Sequence, residues 1–184
     1  VIEELLKNFI YVGFFIANQK PPNLINFSWV LEKQNQKNNS GRVYLFVEED
    51  ESGNKKILKI GKSSDKMGMK GTLGFYYTAL SGTPSQSRYN LHYLINNKIL
   101  EGKKIHAYVK FVESVECEVF GFTTSSKEKI PLDITYAEKL HLDDYKKIYG
   151  KFPDWNFQEN SEEINHKIMS NFGLFIQNKK GKKD

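Results

Sequence analysis

The sequence predicts an α+β fold, a small mixed or antiparallel sheet of three to four strands flanked by helices, with helical additions at both ends. Three observations carry this. Residues 42–62 read strand, turn, strand; residues 86–100 and 133–149 space their apolar side chains as helices do; and 39% hydrophobic with 14% aromatic residues in 184 is enough to bury a core, which excludes a disordered tail. A single cysteine, Cys117, excludes a disulfide framework and a multi-cysteine zinc cage, and a reducing cytoplasm is the expected compartment.

The elements follow in chain order. Residues 1–19 hold the apolar stretch Phe9 to Ala17, too short to span a membrane and without a signal-peptide pattern, and it is expected to be a core helix stopped by Pro21-Pro22. Asn23 to Glu32 carries a second apolar cluster, and the polar run Lys33 to Ser40 reads as a linker. Arg42 to Val47 and Lys55 to Lys62, joined around Ser52-Gly53-Asn54, form a hairpin. Residues 63–84, rich in Gly and Ser, read as a long loop. Ser85 caps a helix from Gln86 to Leu100, and Gly102 lies just past its end. Ile105 to Val112 and Glu116 to Phe122 are expected to pair as strands, followed by a lysine-rich loop. Asp133 to Tyr149 is a helix ended by Gly150, and a last helix is expected from Ser161 to Ile176, before a charged tail. The expected organisation is an N-terminal helical extension over 1–40, a core over 41–157, and a C-terminal helix and basic tail over 158–184.

Charge points to a polyanionic partner: 27 Lys+Arg against 22 Asp+Glu leave +5. Only Arg42 and Arg88 of those cations are arginines, so each arginine calls for a reason. His106, His141 and His166 show no metal-ligand spacing and read as structural.

Five short patterns occur in order: Arg42-Val43-Tyr44 on the first hairpin strand, Lys59-Ile60-Gly61 on the second, Arg88 with His92 four residues later, Ala137-Glu138-Lys139-Leu140 on a later helix, and Pro153-Asp154-Trp155-Asn156. Residues i and i+4 share one helix face, as a single phosphate site would need. Taken together over residues 41–157, these patterns resemble the GIY-YIG nuclease superfamily. Tyr44 keeps the tyrosine of the first motif, while Lys59 stands where the second motif has its first tyrosine. Some restriction endonucleases of the superfamily carry lysine there.

The resemblance implies an Mg²⁺-dependent endonuclease cutting double-stranded DNA, most simply a type II restriction endonuclease, bacterial or phage-encoded and cytoplasmic. A homing or repair nuclease of the same superfamily, or a non-catalytic nucleic-acid-binding relative, is the alternative. Cutting both strands with a chain of this size calls for a homodimer. Glu138 would hold the one divalent cation of each active site, with Mn²⁺ able to substitute; Arg88 would bind the scissile phosphate through its planar fork; Tyr44 would be the general base. Lys59, expected opposite Tyr44 across the hairpin, would favour its phenolate, with Lys62 extending the positive field. His92 would hydrogen-bond the phosphate or the attacking water, and Asn156 would tie down the loop beside the site.

DNA contacts are expected from Arg42, Lys62, Lys66, Lys70, Lys127 and Lys129, each phosphate contact making affinity fall with salt. Each of these residues also has a plainer reading. Tyr44 could be a packing residue, Glu138 a solvent-facing partner of a nearby lysine, His92 a buried helix histidine, and Arg42 the start of a strand. Asp65 with Glu101-x-Lys103 imitates a second restriction-nuclease pattern, but the pair falls at a helix end beside Gly102.

Overall fold

The apolar stretch near the N-terminus folds as a strand, not as the expected helix, and joins the main sheet. A computed structural model describes residues 2–160 and 166–180. After a short helix α1 (Ile2–Leu6), β1 (Ile10–Ala17) and β2 (Ile25–Trp29) form an antiparallel pair. A continuous apolar run does not itself distinguish helix from strand; the β-branched and aromatic residues of β1 suit a pleated surface. At Gly13 the strand bulges, φ is +142°, and an added Cβ would lie 2.1 Å from the Ser28 carbonyl oxygen.

The polar run Lys33 to Ser40 is also more than a linker. It holds a helical turn, α2 (Lys33–Gln36), whose Gln36 is buried with Nε2 donating to the Leu31 carbonyl at 2.6 Å. β3 (Arg42–Glu49) and β4 (Lys55–Ser63) are the expected hairpin. The loop expected over 63–84 contains a helix, α3 (Met69–Tyr77), and a 3-10 turn, Ala79–Ser81. Its buried residues Met69, Thr72, Leu73 and Tyr76 fall at helical spacing, a signal masked by the surrounding glycines. α4 (Gln86–Leu100) has the expected cap, Ser85 Oγ accepting from the Arg88 backbone N–H.

β5 (Lys104–Phe111) lies between β1 and β3 and pairs with both, not with the strand that follows it. That strand, β6 (Ser114–Phe120), pairs with β7 (Ser125–Pro131), the segment expected to be a lysine-rich loop. The described residues thus form an antiparallel sheet of order β2-β1-β5-β3-β4, five strands where three to four were expected, plus the β6-β7 ribbon. α5 (Ile134–Tyr149) is capped by the Asp133 side chain and closed by Gly150 in the left-handed region, as its spacing predicted. α6 (Phe157–Asn160) and α7 (His166–Lys180) complete the chain; residues 161–165 of the expected last helix and 181–184 of the expected tail lie outside the described residues.

Alternation along β3 divides the core in two. Tyr44 and Phe46 face α3 and α4 with Met69, Leu73, Leu91 and Ile95, whereas Val43, Leu45 and Val47 face α1 and α5 with Leu6, Leu142 and Tyr145. With both faces covered, β3 reads as a continuous apolar run. β4, at the sheet's edge, is closed by the segment after α5: Trp155 N–H donates to the Leu58 carbonyl at 2.7 Å, and Asn156 bonds both backbone groups of Ile60 at 2.9 Å each. The pairing partner of an edge strand is here a side-chain amide.

Register in the hairpin departs from expectation. The turn spans Asp50 to Asn54 and Leu58 is an extra residue between Phe46↔Lys59 and Val47↔Ile57, so Tyr44 pairs with Gly61, and Lys59 with Phe46. An added Cβ at Gly61 would lie 2.5 Å from the Tyr44 ring and hydroxyl. Because Tyr44 is buried, its ring has little room to yield. Gly61→Ala is therefore expected to destabilise the fold by about 1–3 kcal/mol, read as a lowered urea midpoint with an unchanged m-value.

Candidate active site

The candidate site is built on the β4 edge, where side chains from both faces of the strand meet α5 and the segment that follows it. Lys59 points to the α3/α4 side and Lys62 to the α5 side. Lys62 Nζ lies 2.8 Å from Glu138 Oε2. At side-chain exposures of 36% and 16%, such a pair contributes about 0–1 kcal/mol, so Leu142 and Tyr145, not this contact, anchor α5. Glu138, Lys59, Lys62, Asn156 and Glu159 line a cleft of about 410 Å³ together with Gln86 and Ser87 from the start of α4. Lys62 also lines a second, smaller cleft of about 210 Å³, whose other walls include Tyr44, Ser63, Asp65, Phe75 and Tyr76. Carboxylate and ammonium thus share one cleft, and phenol and ammonium share the adjoining one.

Electrostatics within the site are mutually opposed. Burial pushes the Tyr44 phenol well above its ordinary value, and Tyr76 and the Glu138 carboxylate push it in the same direction. Burial likewise pushes Lys59 below the usual lysine value, offset by Glu159 and Glu138. Tyr44 is thus a neutral phenol in the protein alone, and Lys59, two residue pairs along the hairpin, is the group whose charge the carboxylates favour. A phenolate at Tyr44 requires the negative charge of Glu138 to be offset first.

Arg88 and His92 share a helix face as predicted, but that face is turned onto α3. Arg88 Nε donates to the Phe75 carbonyl, another guanidinium nitrogen donates to Thr78 Oγ1 at 3.0 Å, and the guanidinium carbon lies 4.9 Å from the Phe75 ring centroid. His92, fully buried, bonds the next carbonyl, Tyr76, through Nδ1 at 2.9 Å, while its Nε2 accepts from the Leu24 N–H at 3.0 Å. A carbonyl accepts only, so Nδ1 carries the proton and the ring is neutral. The pair staples the C-terminal turn of α3 behind the Tyr44 cleft. His92, with both nitrogens engaged, does not reach a phosphate or a water there, and Arg88, stacked on Phe75, lines neither cleft.

Arg42, expected on DNA, is fully buried instead: its guanidinium donates to the carbonyls of Asn38 at 3.2 Å and Asp65 at 2.7 Å. It ties the segment before β3 to the turn after β4. Lys66 and Lys70 are exposed beside the smaller cleft, whereas Lys127 and Lys129 stand on the β6-β7 ribbon opposite Glu118 and Glu116. Asn156 holds Ile60, as expected. Glu101, ion-paired to Lys98 at the opposite end of α4 from Gln86, does not line the cleft that Asp65 lines, so the second restriction-nuclease pattern is not assembled. Sequence reasoning missed Tyr76, whose hydroxyl is 2.5 Å from that of Tyr44; the helical spacing of α3 was the signal that pointed to it.

Among the described residues no group of three or more His, Cys, Asp or Glu could hold a metal ion. The donor set does not suit zinc. It does suit a hard cation held by one carboxylate, with waters and ligand oxygens completing its shell in an open polar cleft. No helix among the described residues is long and apolar enough to cross a membrane.

No protein-family model matches the chain, and no curated protein sequence matches it significantly. Among solved structures it is similar to a mutant of bacteriophage T4 EndoII, with a TM-score of 0.51 and 15% identity over 84% of this chain and 96% of that one. It is also similar to restriction endonuclease HPY188I in complex with product DNA, with a TM-score of 0.43 and 24% identity over 82% and 81% of the two chains. The likeness to EndoII is one of fold.

Burial pushes the imidazoles of His92, His106 and His141 below the ordinary value of 6.5. Below that value the unfolded chain takes up protons that the folded chain refuses, so stability is fully present above it and is lost as pH falls toward the folded values. The urea midpoint should drop between about pH 7 and pH 5.5. His92→Gln should start from a lower midpoint and show a shallower drop.

Proposed function

We propose that the chain is a divalent-cation-dependent endonuclease acting on double-stranded DNA as a type II restriction endonuclease, and that it works as a homodimer. The observation that carries this reading is the meeting of Tyr44, Lys62 and Glu138 around two adjoining clefts on one sheet edge, in the motif order of a GIY-YIG nuclease. The fold likeness to bacteriophage T4 EndoII supports it.

Hydrolysis of a phosphodiester needs a deprotonated nucleophile, neutralised phosphate oxygens and a stabilised leaving 3′ oxygen. Tyr44, once it has lost its own proton to solvent, takes the proton of the attacking water as the new O–P bond forms and the P–O3′ bond breaks, and the leaving 3′ oxygen takes a proton from solvent. Glu138 is the carboxylate that would hold Mg²⁺, which when bound would neutralise phosphate charge and stabilise the leaving oxygen. Lys59 and Lys62 keep the cleft positive beside Glu138, Lys62 being released from its ion pair to face the DNA backbone. Arg88 reaches the phosphate past Phe75 by leaving Thr78, and Lys66 and Lys70 follow the backbone beyond. Asn156 holds the wall of the cleft in place.

One observation favours a second reading, a nucleic-acid-binding module without turnover: the phenol meant to act as base is buried and held neutral. A plasmid assay separates the two. With Mg²⁺ the wild type is expected to convert supercoiled DNA to discrete linear fragments, and EDTA to abolish this. Glu138→Gln and Tyr44→Phe should each slow cutting by roughly 10²-fold or more, and Arg88→Ala by a similar factor, with folding checked by circular dichroism. Salt-sensitive binding by the wild type without any cutting would establish the module.

A further inference from the structure

Tyr44 and Tyr76 form a phenol pair at the floor of the small cleft. Their oxygens are 2.5 Å apart, and among the described residues neither hydroxyl makes another hydrogen bond. Two neutral phenols carry two hydroxyl protons, yet the bond between them uses one. The second proton has no protein acceptor, although both residues are 5% exposed and both line the small cleft with Lys62. Removing one proton from the pair leaves one proton, one bond and no unmatched donor.

The surroundings hold Tyr76 as firmly as Tyr44. The Tyr76 ring meets Phe46 edge-on at 5.0 Å between centroids and Phe75 at 5.2 Å, and its carbonyl is fixed by the buried His92. Tyr44 lies over Gly61, where a side chain would displace it. His92, bonding the Tyr76 carbonyl of α3, thus helps set where the Tyr76 hydroxyl sits.

We propose that Tyr76 is a positioning residue for Tyr44: its hydroxyl holds the Tyr44 oxygen at the cleft beside Lys62 and stays as a hydrogen-bond donor to that oxygen once the pair has lost a proton. The role rests on the reading of Tyr44 as general base. The pair releases its unmatched proton to solvent, the Tyr44 oxygen takes a proton from the attacking water as the O–P bond forms and the P–O3′ bond breaks, and release of that proton resets the pair. A donor to the charged form favours it: with Tyr44 as donor the bond lowers Tyr76 and raises Tyr44, the roles exchange when the charge sits on Tyr44, and the ionisation belongs to the pair, not to either phenol alone. Burial and Glu138 oppose the ionisation, pushing Tyr76 up to about 12. The bond within the pair acts against them.

The test uses the full chain with a duplex oligonucleotide and Mg²⁺, following single-turnover cleavage from about pH 6 to pH 10 in wild type, Tyr76→Phe, Tyr44→Phe and the double variant. Tyr76→Phe keeps the ring and so the packing. Its rising limb is expected to move up by about one pH unit, making it about tenfold slower near neutrality and equal to wild type at high pH. The double variant should be no slower than Tyr44→Phe alone. Without DNA or metal, the phenolate absorbance lost on Tyr44→Phe substitution should titrate at higher pH in the Tyr76→Phe background. A pH-independent slowing, an unshifted profile or an unshifted titration overturns the role of Tyr76 while leaving Tyr44 as base. Absence of wild-type cutting, or full cutting by Tyr44→Phe, overturns the nuclease reading and this role together.

Discussion

The edge of β4 is the constraint from which the rest follows. An edge strand offers unpaired backbone groups, and here they are taken by the segment after α5, with Asn156 bonding both the N–H and the carbonyl of Ile60 and Trp155 bonding the carbonyl of the extra residue Leu58. That closure draws the 153–160 segment against β4 and shapes the cleft between it, Glu138 and the start of α4. Side chains on opposite faces of a strand can meet around its rim only where that rim is the edge of the sheet. This is why Lys59 and Lys62, which point to opposite sides of the sheet, can line one cleft.

Charge in that cleft is balanced so that no group acts alone. Glu138 raises the phenols of Tyr44 and Tyr76 and supports the charge of Lys59, while Lys62 offsets Glu138. A change at one of these groups alters the protonation of the others, because burial lowers the effective dielectric between them. The Arg88 and His92 pair belongs to this system through its hold on α3, a mechanical role that its spacing alone did not disclose.

Much of the local structure was legible because it depends on local chemistry. Ser85, Asp133 and Gly150 marked helix ends where they are found, since caps satisfy backbone groups within a turn of themselves. The hairpin was visible in its alternation, but its register was not: the position of the turn and one extra residue at Leu58 together place Tyr44 opposite Gly61 and not Lys59. α3 was hidden by glycines that contacts with Asp65, Gln36 and the residues beside it require. β1 was read as helix because an unbroken apolar run has no period to read.

The sequence by itself determined the α+β class, the principal elements of the core and the order of the chemistry-bearing residues, all of which rest on short-range patterns. Tertiary structure alone decided that β5 inserts between β1 and β3, that Arg42 is buried on two carbonyls, that Arg88 and His92 face α3, and that Tyr44 meets Tyr76. The physical reason is distance along the chain: these contacts join residues from different elements, and nothing local to either partner distinguishes a side chain that meets its partner from one that meets solvent.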